Sequence, residues 1–227
     1  MTKGAFILAS LSFFITAGQA QTPRLVRAVG EGVITVKPDL AKLSVGVVTQ
    51  ANTARDAAAE NGGRVEGVLT ELRRVLGPTA DIKTTSYSLA PNYRYNQNAP
   101  PTLLGYTASN TLEVAIGDLS LVGTVIDAAS QSGANNVGGL QFTLQDQEPV
   151  RLQVLGLATK QAKAHAEAIA AGLGGRIGSI FAASEGVSYS PPIRGADTTG
   201  PAAPTTPIET GLLQIRATVT VEAELQQ

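Results

Sequence analysis

Residues 41–77, AKLSVGVVTQANTARDAAAENGGRVEGVLTELRRVLG, contain the change of period that decides the fold. Ala41, Leu43, Val45 and Val47 alternate with polar or small residues, as in a strand with one buried face. From Asn52 the spacing becomes helical. Thr53 and Asp56 stand as a capping box, and Val65, Val68, Leu69, Leu72, Val75 and Leu76 form an apolar stripe that Gly77-Pro78 ends. Gly62-Gly63 inside that helix costs about 1 kcal/mol per glycine relative to alanine unless close packing offsets it.

Downstream, a third strand is predicted from Ile82 to Leu89, then a polar excursion from Pro91 to Pro101, then a fourth strand from Leu103 to Ile116. Asp118 caps a short helix carrying Leu119, Val122, Val125, Ile126 and Ala129, which Gly133 closes before a fifth strand at 136–144. The order from Ala41 to Leu144 is therefore β-α-β-β-α-β, the split arrangement of ferredoxin-like folds.

Upstream, residues 25–36 (LVRAVGEGVITV) read as a strand with Gly30, Gly32, Ile34 and Val36 on one face. Pro38-Asp39 joins it to Ala41 as an antiparallel hairpin or a corner. Beyond Leu144, Pro149 opens a long helix to Gly174, with Leu155, Ala158, Ala162, Ala166, Ile169 and Leu173 expected to be buried. A sixth strand near 176–185, a Pro-rich surface loop at 188–209 and an alternating strand from Leu213 to Leu225 complete the chain. The fold class is α+β: a mainly antiparallel sheet, helices mainly on one face, and a ferredoxin-like core extended by a long helix and two C-terminal strands.

The N-terminus has the three-part plan of an export signal: a basic start at Lys3, an uncharged apolar run from Ala5 to Ala17, and small residues Gly18 and Ala20 before Gln21. This run of thirteen residues at about 1.5 Å each covers roughly 20 Å, short of a hydrocarbon core of about 30 Å. The expectation is cleavage near Ala20 and a single domain over residues 21–227, its core at 25–225, with no transmembrane segment. Removing 20 of 227 residues leaves 207 with no Met, Trp or Cys. Without cysteine there are no disulfides, so stability rests on the core or on assembly.

Composition excludes several classes of function. With Lys3 removed, 16 basic residues face 18 acidic ones, which is no footprint for nucleic acid. One histidine and no cysteine leave little for a metal site, a thiol nucleophile or a histidine triad, so no enzyme, cofactor or metal is expected. His165 falls at the edge of the Ala162-Ala166-Ile169 stripe and reads as structural. Asp118, Asp146 and Glu148 are explained by helix ends, and Asp39 beside Lys37 by the turn after Pro38. Gly30-Glu31-Gly32 lies in a strand and Gly172 to Gly175 follows a helix, so neither cradles phosphate; turns and close packing explain them. Tyr87, Tyr93, Tyr95 and Tyr106 are four of the seven aromatics of residues 21–227, and they mark a candidate interaction surface.

The succession GEGVITVKPD (30–39), GYTASNTLEV (105–114), Asp118-Leu119, SGANNVGGLQF (132–142) and IRATVTV (215–221) resembles the SIMPL-domain family, which includes periplasmic immunogenic antigens of Gram-negative bacteria. The resemblance implies a periplasmic α+β protein without an established active site, ring- or channel-like oligomers, and a link to oxidative-stress defence. A self-assembling envelope protein is the expectation that follows, with the Val/Thr-rich last strand completing a sheet across subunits. The alternative is a binding or adaptor module that recognises a small molecule, glycan or envelope protein through the Tyr-containing loop.

Overall fold

The computed structural model describes residues 24–97, 99–193 and 206–227. The export signal expected at 1–20 and most of the Pro-rich loop lie outside them. Seven strands and three α-helices follow in the order β1 (Leu25–Val36), β2 (Leu40–Ala51), α1 (Ala54–Leu76), β3 (Ile82–Arg94), β4 (Thr102–Ile116), α2 (Val122–Gln131), β5 (Asn136–Thr143), α3 (Glu148–Gly172), β6 (Arg176–Ile193) and β7 (Leu212–Gln226). The protein is α+β and every strand pair is antiparallel. The strands fall into two sheets: β3-β4-β2-β5 and β1-β7-β6.

The four-stranded sheet is the ferredoxin-like core. Its order places β4 between β2 and β3, so each strand-helix-strand crossover skips a neighbour and both helices lie on one face. Thr53 caps α1 by accepting from the Asp56 amide at 3.1 Å, and Gly77 ends it with φ 93°. The core beneath is Leu43, Val45, Val47, Leu112, Val114 and Ile116 from the sheet against Val68 and Leu72 of α1 and Val122 and Val125 of α2, all buried. Asn61 ties α1 down: its buried amide donates to the carbonyls of Val47 at 2.8 Å and Ala108 at 3.2 Å. Gly62 and Gly63 are exposed, and a Cβ there would meet nothing within 4 Å, so packing does not offset their helix cost.

The three-stranded sheet packs on α3 alone. Of the two readings of Pro38-Asp39, the corner is correct: β1 leaves for β7, with Leu25 opposite Glu224 and Val36 opposite Leu213, while β2 stays in the other sheet. Asp39 holds the corner, its carboxylate accepting from the Gln145 amide at 2.7 Å.

The buried stripe of α3 differs from the expected one. Val154, Ala158, Ala162, Ala166 and Ala170 are buried, whereas Ile169 is 43% and Leu173 60% exposed. Ala166 and Ala170 pack on Val26 and Ala28 of β1, and Gly30 and Gly32 bring the same strand onto the helix one to two turns earlier. A Cβ on Gly30 would strike the backbone of Ala158 and Ala162, and one on Gly32 would strike the Val154 carbonyl oxygen. Strand and helix approach so closely that only a row of small residues spaced four apart fits between them.

Two strands also run further than their sequence patterns predict. β3 continues to Arg94, five residues past Leu89, because β4 begins at Thr102 and supplies partners as far as Arg94. β6 continues to Ile193, into the stretch read as a loop, paired with β7 up to Leu212.

Candidate interaction surface

Each sheet has two edges, and the chain treats them differently. The free edge of β1 is bonded at two points by side chains one turn apart on α3: Gln161 accepts from the Glu31 amide, and His165 Nδ1 lies 2.7 Å from the Val29 carbonyl oxygen. A carbonyl only accepts, so Nδ1 of His165 carries the hydrogen. His165 is therefore structural, as its sequence setting implies, although its ring is exposed rather than partly buried.

Among the described residues, the edge at β3 is open. Of its 13 residues, all but Ile82 are exposed, because α1 packs mainly on β2 and β4 and reaches the outermost strand less. By the register, Tyr87, Leu89, Pro91 and Tyr93 stand opposite Asn110, Ala108, Tyr106 and Leu103 and so share the helix-bearing face. Tyr87 is 54%, Leu89 40%, Tyr93 43% and Leu103 46% exposed, a continuous apolar strip along the margin. Tyr95 follows β3, its ring centroid 6.4 Å from that of Tyr93. Tyr106 is half-buried beside them. The structure thus brings the four tyrosines to one end of one sheet. Tyr87 packs on no core and Tyr93 belongs to a strand rather than to a loop.

The free edge is not uniform. A register shift between Thr84 and Ser86 interrupts it at one end and Pro91, which has no amide donor, at the other; Ser86 to Ala90 is the regular stretch between them. The edge of β6 is broken by register shifts at Ile177, Ile180 and Ser190, and β5 is only eight residues long.

The expectation that the last strand completes a sheet across subunits is corrected by the topology. β7 is the central strand of its sheet, paired with β1 on one side and β6 on the other, and its Val/Thr-rich alternation reflects one face buried on α3. No local pattern signals the Gln161 and His165 contacts, since two polar residues four apart on a helix look the same on a solvated face.

Charged groups serve local structure. Asp118 accepts from the Ser120 hydroxyl at 2.6 Å and the Ser120 amide at 3.0 Å, which holds its carboxyl below the usual range. The Arg74 guanidinium on Glu71 does the same there. Among the described residues no three His, Asp or Glu side chains gather as a metal site would require, and no helix is long and apolar enough to cross a membrane.

Residues 26–223 match the SIMPL family, described as a protein of unknown function (DUF541). The 26 kDa periplasmic immunogenic protein of Brucella melitensis biotype 1 is 32% identical over 183 residues, covering 77% of this chain and 72% of that protein. Uncharacterized protein YggE of Edwardsiella ictaluri is 26% identical over 175 residues (76% and 73%), and YggE of Escherichia coli K12 is 25% identical over 170 residues (74% and 68%). These names state a compartment for the Brucella protein and no reaction for any of them. The glycine-bearing β1, the two-sheet α+β architecture and a match spanning almost every described element lead to one conclusion: this chain belongs to the SIMPL family.

Proposed function

We propose that the chain is an exported periplasmic protein that self-assembles through the β3 margin and acts as a structural component of the envelope rather than as an enzyme. The observation that carries this reading is the open β3 edge with its strip of Tyr87, Leu89, Tyr93 and Leu103. An unpaired strand that also exposes apolar side chains favours pairing with another strand. The stretch Ser86 to Ala90 can meet the same stretch of a second copy about a two-fold axis, antiparallel as every other pair in this fold is. The periplasmic name of the Brucella relative and the signal-like residues 1–20 support the compartment. A part in oxidative-stress defence is indirect in this reading, because residues 21–227 contain no Cys or Met to cycle with an oxidant.

Multi-angle light scattering on residues 21–227 tests it. The wild-type chain gives a multiple of the monomer mass at micromolar concentration, and Leu89→Lys with Tyr93→Lys returns it to monomer. A wild-type monomer under those conditions ends the proposal. The paired rings of Tyr93 and Tyr95 support a second reading, an adaptor that holds an envelope protein, glycan or small molecule. Under it, Tyr93→Ala with Tyr95→Ala removes a pull-down partner while leaving the mass unchanged.

A further inference from the structure

A cavity of about 420 Å³ opens at the seam between the two sheets, where the end of β5 and the first residues before α3 meet the facing ends of β6 and β7. Its lining is partly apolar: Leu140, Phe142 and Leu144 come from one side of the seam and Tyr189 and Leu213 from the other, with Ile215 fully buried behind them. Its volume lies within the roughly 300–1,000 Å³ of small-molecule sites, which favour such junctions between packed units.

The rim is polar, uncharged and already oriented. Gln147 Nε2 donates to the Thr143 hydroxyl at 2.9 Å, which leaves Gln147 Oε1 as an acceptor without a partner among the described residues. Gln214 Oε1 accepts from Arg216 at 3.1 Å, which leaves its Nε2 as a donor. No charged side chain lines the cavity among the described residues. The adjoining helix start is already occupied by Asp146, whose carboxylate accepts from the Glu148 amide at 3.1 Å, and by Glu148 itself.

We propose that this cavity binds a small uncharged amphipathic molecule, with an apolar ring or chain against Leu140, Phe142, Leu144, Tyr189 and Leu213 and a donor and an acceptor facing Gln147 and Gln214. The site is separate from the β3 margin and does not depend on assembly.

Fluorescence titration of residues 21–227 with N-phenyl-1-naphthylamine, an uncharged apolar amine, tests the proposal against 1-anilinonaphthalene-8-sulfonate, the same ring system carrying an anion. The neutral probe gives saturable, blue-shifted emission, and the sulfonate binds at least tenfold more weakly. Ser190→Phe fills the cavity from β6 and Gln147→Trp fills it from the opposite wall. Either one, if its unfolding midpoint matches wild type, lowers affinity at least tenfold, whereas Leu89→Lys leaves it unchanged. No saturable binding of the neutral probe, equal binding of the sulfonate, or full binding to the folded filled variants overturns the site.

Discussion

β1 and β3 are edge strands of similar length, 12 and 13 residues, in sheets that are both antiparallel, yet they meet solvent in opposite ways. β1 is locked against α3 by two glycines and its outward backbone is bonded at Val29 and Glu31 by His165 and Gln161. β3 is covered by α1 only lightly and no side chain bonds its regular outward stretch among the described residues; both strands expose apolar side chains, Leu25, Val29 and Val33 on β1 and Tyr87, Leu89 and Tyr93 on β3. Exposed edges invite association, and proteins blunt those not meant to pair. The difference teaches that this fold protects one edge with specific side chains and leaves a five-residue window of another available.

The largest expected effect tests the closed side. Gly30→Ala places a methyl group on the backbone of Ala158 and Ala162, which cannot move without shifting α3. The substitution lowers unfolding stability by about 3 kcal/mol, the upper range for overpacking, read as a fall in urea midpoint. Opening the closed edge is next. Gln161→Ala and His165→Ala each remove one hydrogen bond to β1, costing about 1 kcal/mol apiece. The double variant also associates more strongly in sedimentation velocity than wild type, since a second edge is then free.

On the side of β3, stability and association separate. Gly62→Ala and Gly63→Ala in α1 raise stability by about 1 kcal/mol each, because an added Cβ meets nothing there, and they leave the mass in solution unchanged. Leu89→Lys on exposed β3 changes monomer stability by less than about 0.5 kcal/mol while weakening self-association, the reverse of the Gly30 variant. The smallest effect is titration of the Asp118 cap. Its carboxyl sits below the usual range because Ser120 donates to the charged form. The associated stability is therefore present above the unfolded-state value near pH 3.9 and is lost as pH falls through the lower folded-state value; Asp118→Asn flattens that part of the acid unfolding curve.

Much of the ferredoxin-like half was legible in the sequence, because its signals are local: alternation in β2 and β4, Thr53 and Asp118 as caps, Gly77 and Gly133 as stops. The allocation of strands to two sheets was not. Pro38-Asp39 suits a hairpin or a corner equally, and the choice rests on pairing between Leu25 and Glu224, almost the whole chain apart. The α3 stripe was misplaced for a related reason. Helical periodicity ranks Ile169 and Leu173 above Ala170, but Val26 and Ala28 on a distant strand pack on Ala170 and take it inside. The tyrosines were legible as a group. Their common margin was not, because Tyr93 joins β3 only through partners on β4 beyond a register shift at Asn92.

Hydrogen exchange of residues 21–227 at low and high protein concentration tests the central claim most directly. Assembly through β3 predicts that the outward amides between Ser86 and Ala90 exchange freely in dilute solution and become protected as concentration rises, while Glu31 is protected throughout. The Leu89→Lys chain keeps β3 unprotected at every concentration. A β3 that exchanges at the same rate across the concentration range in the wild-type protein contradicts the account.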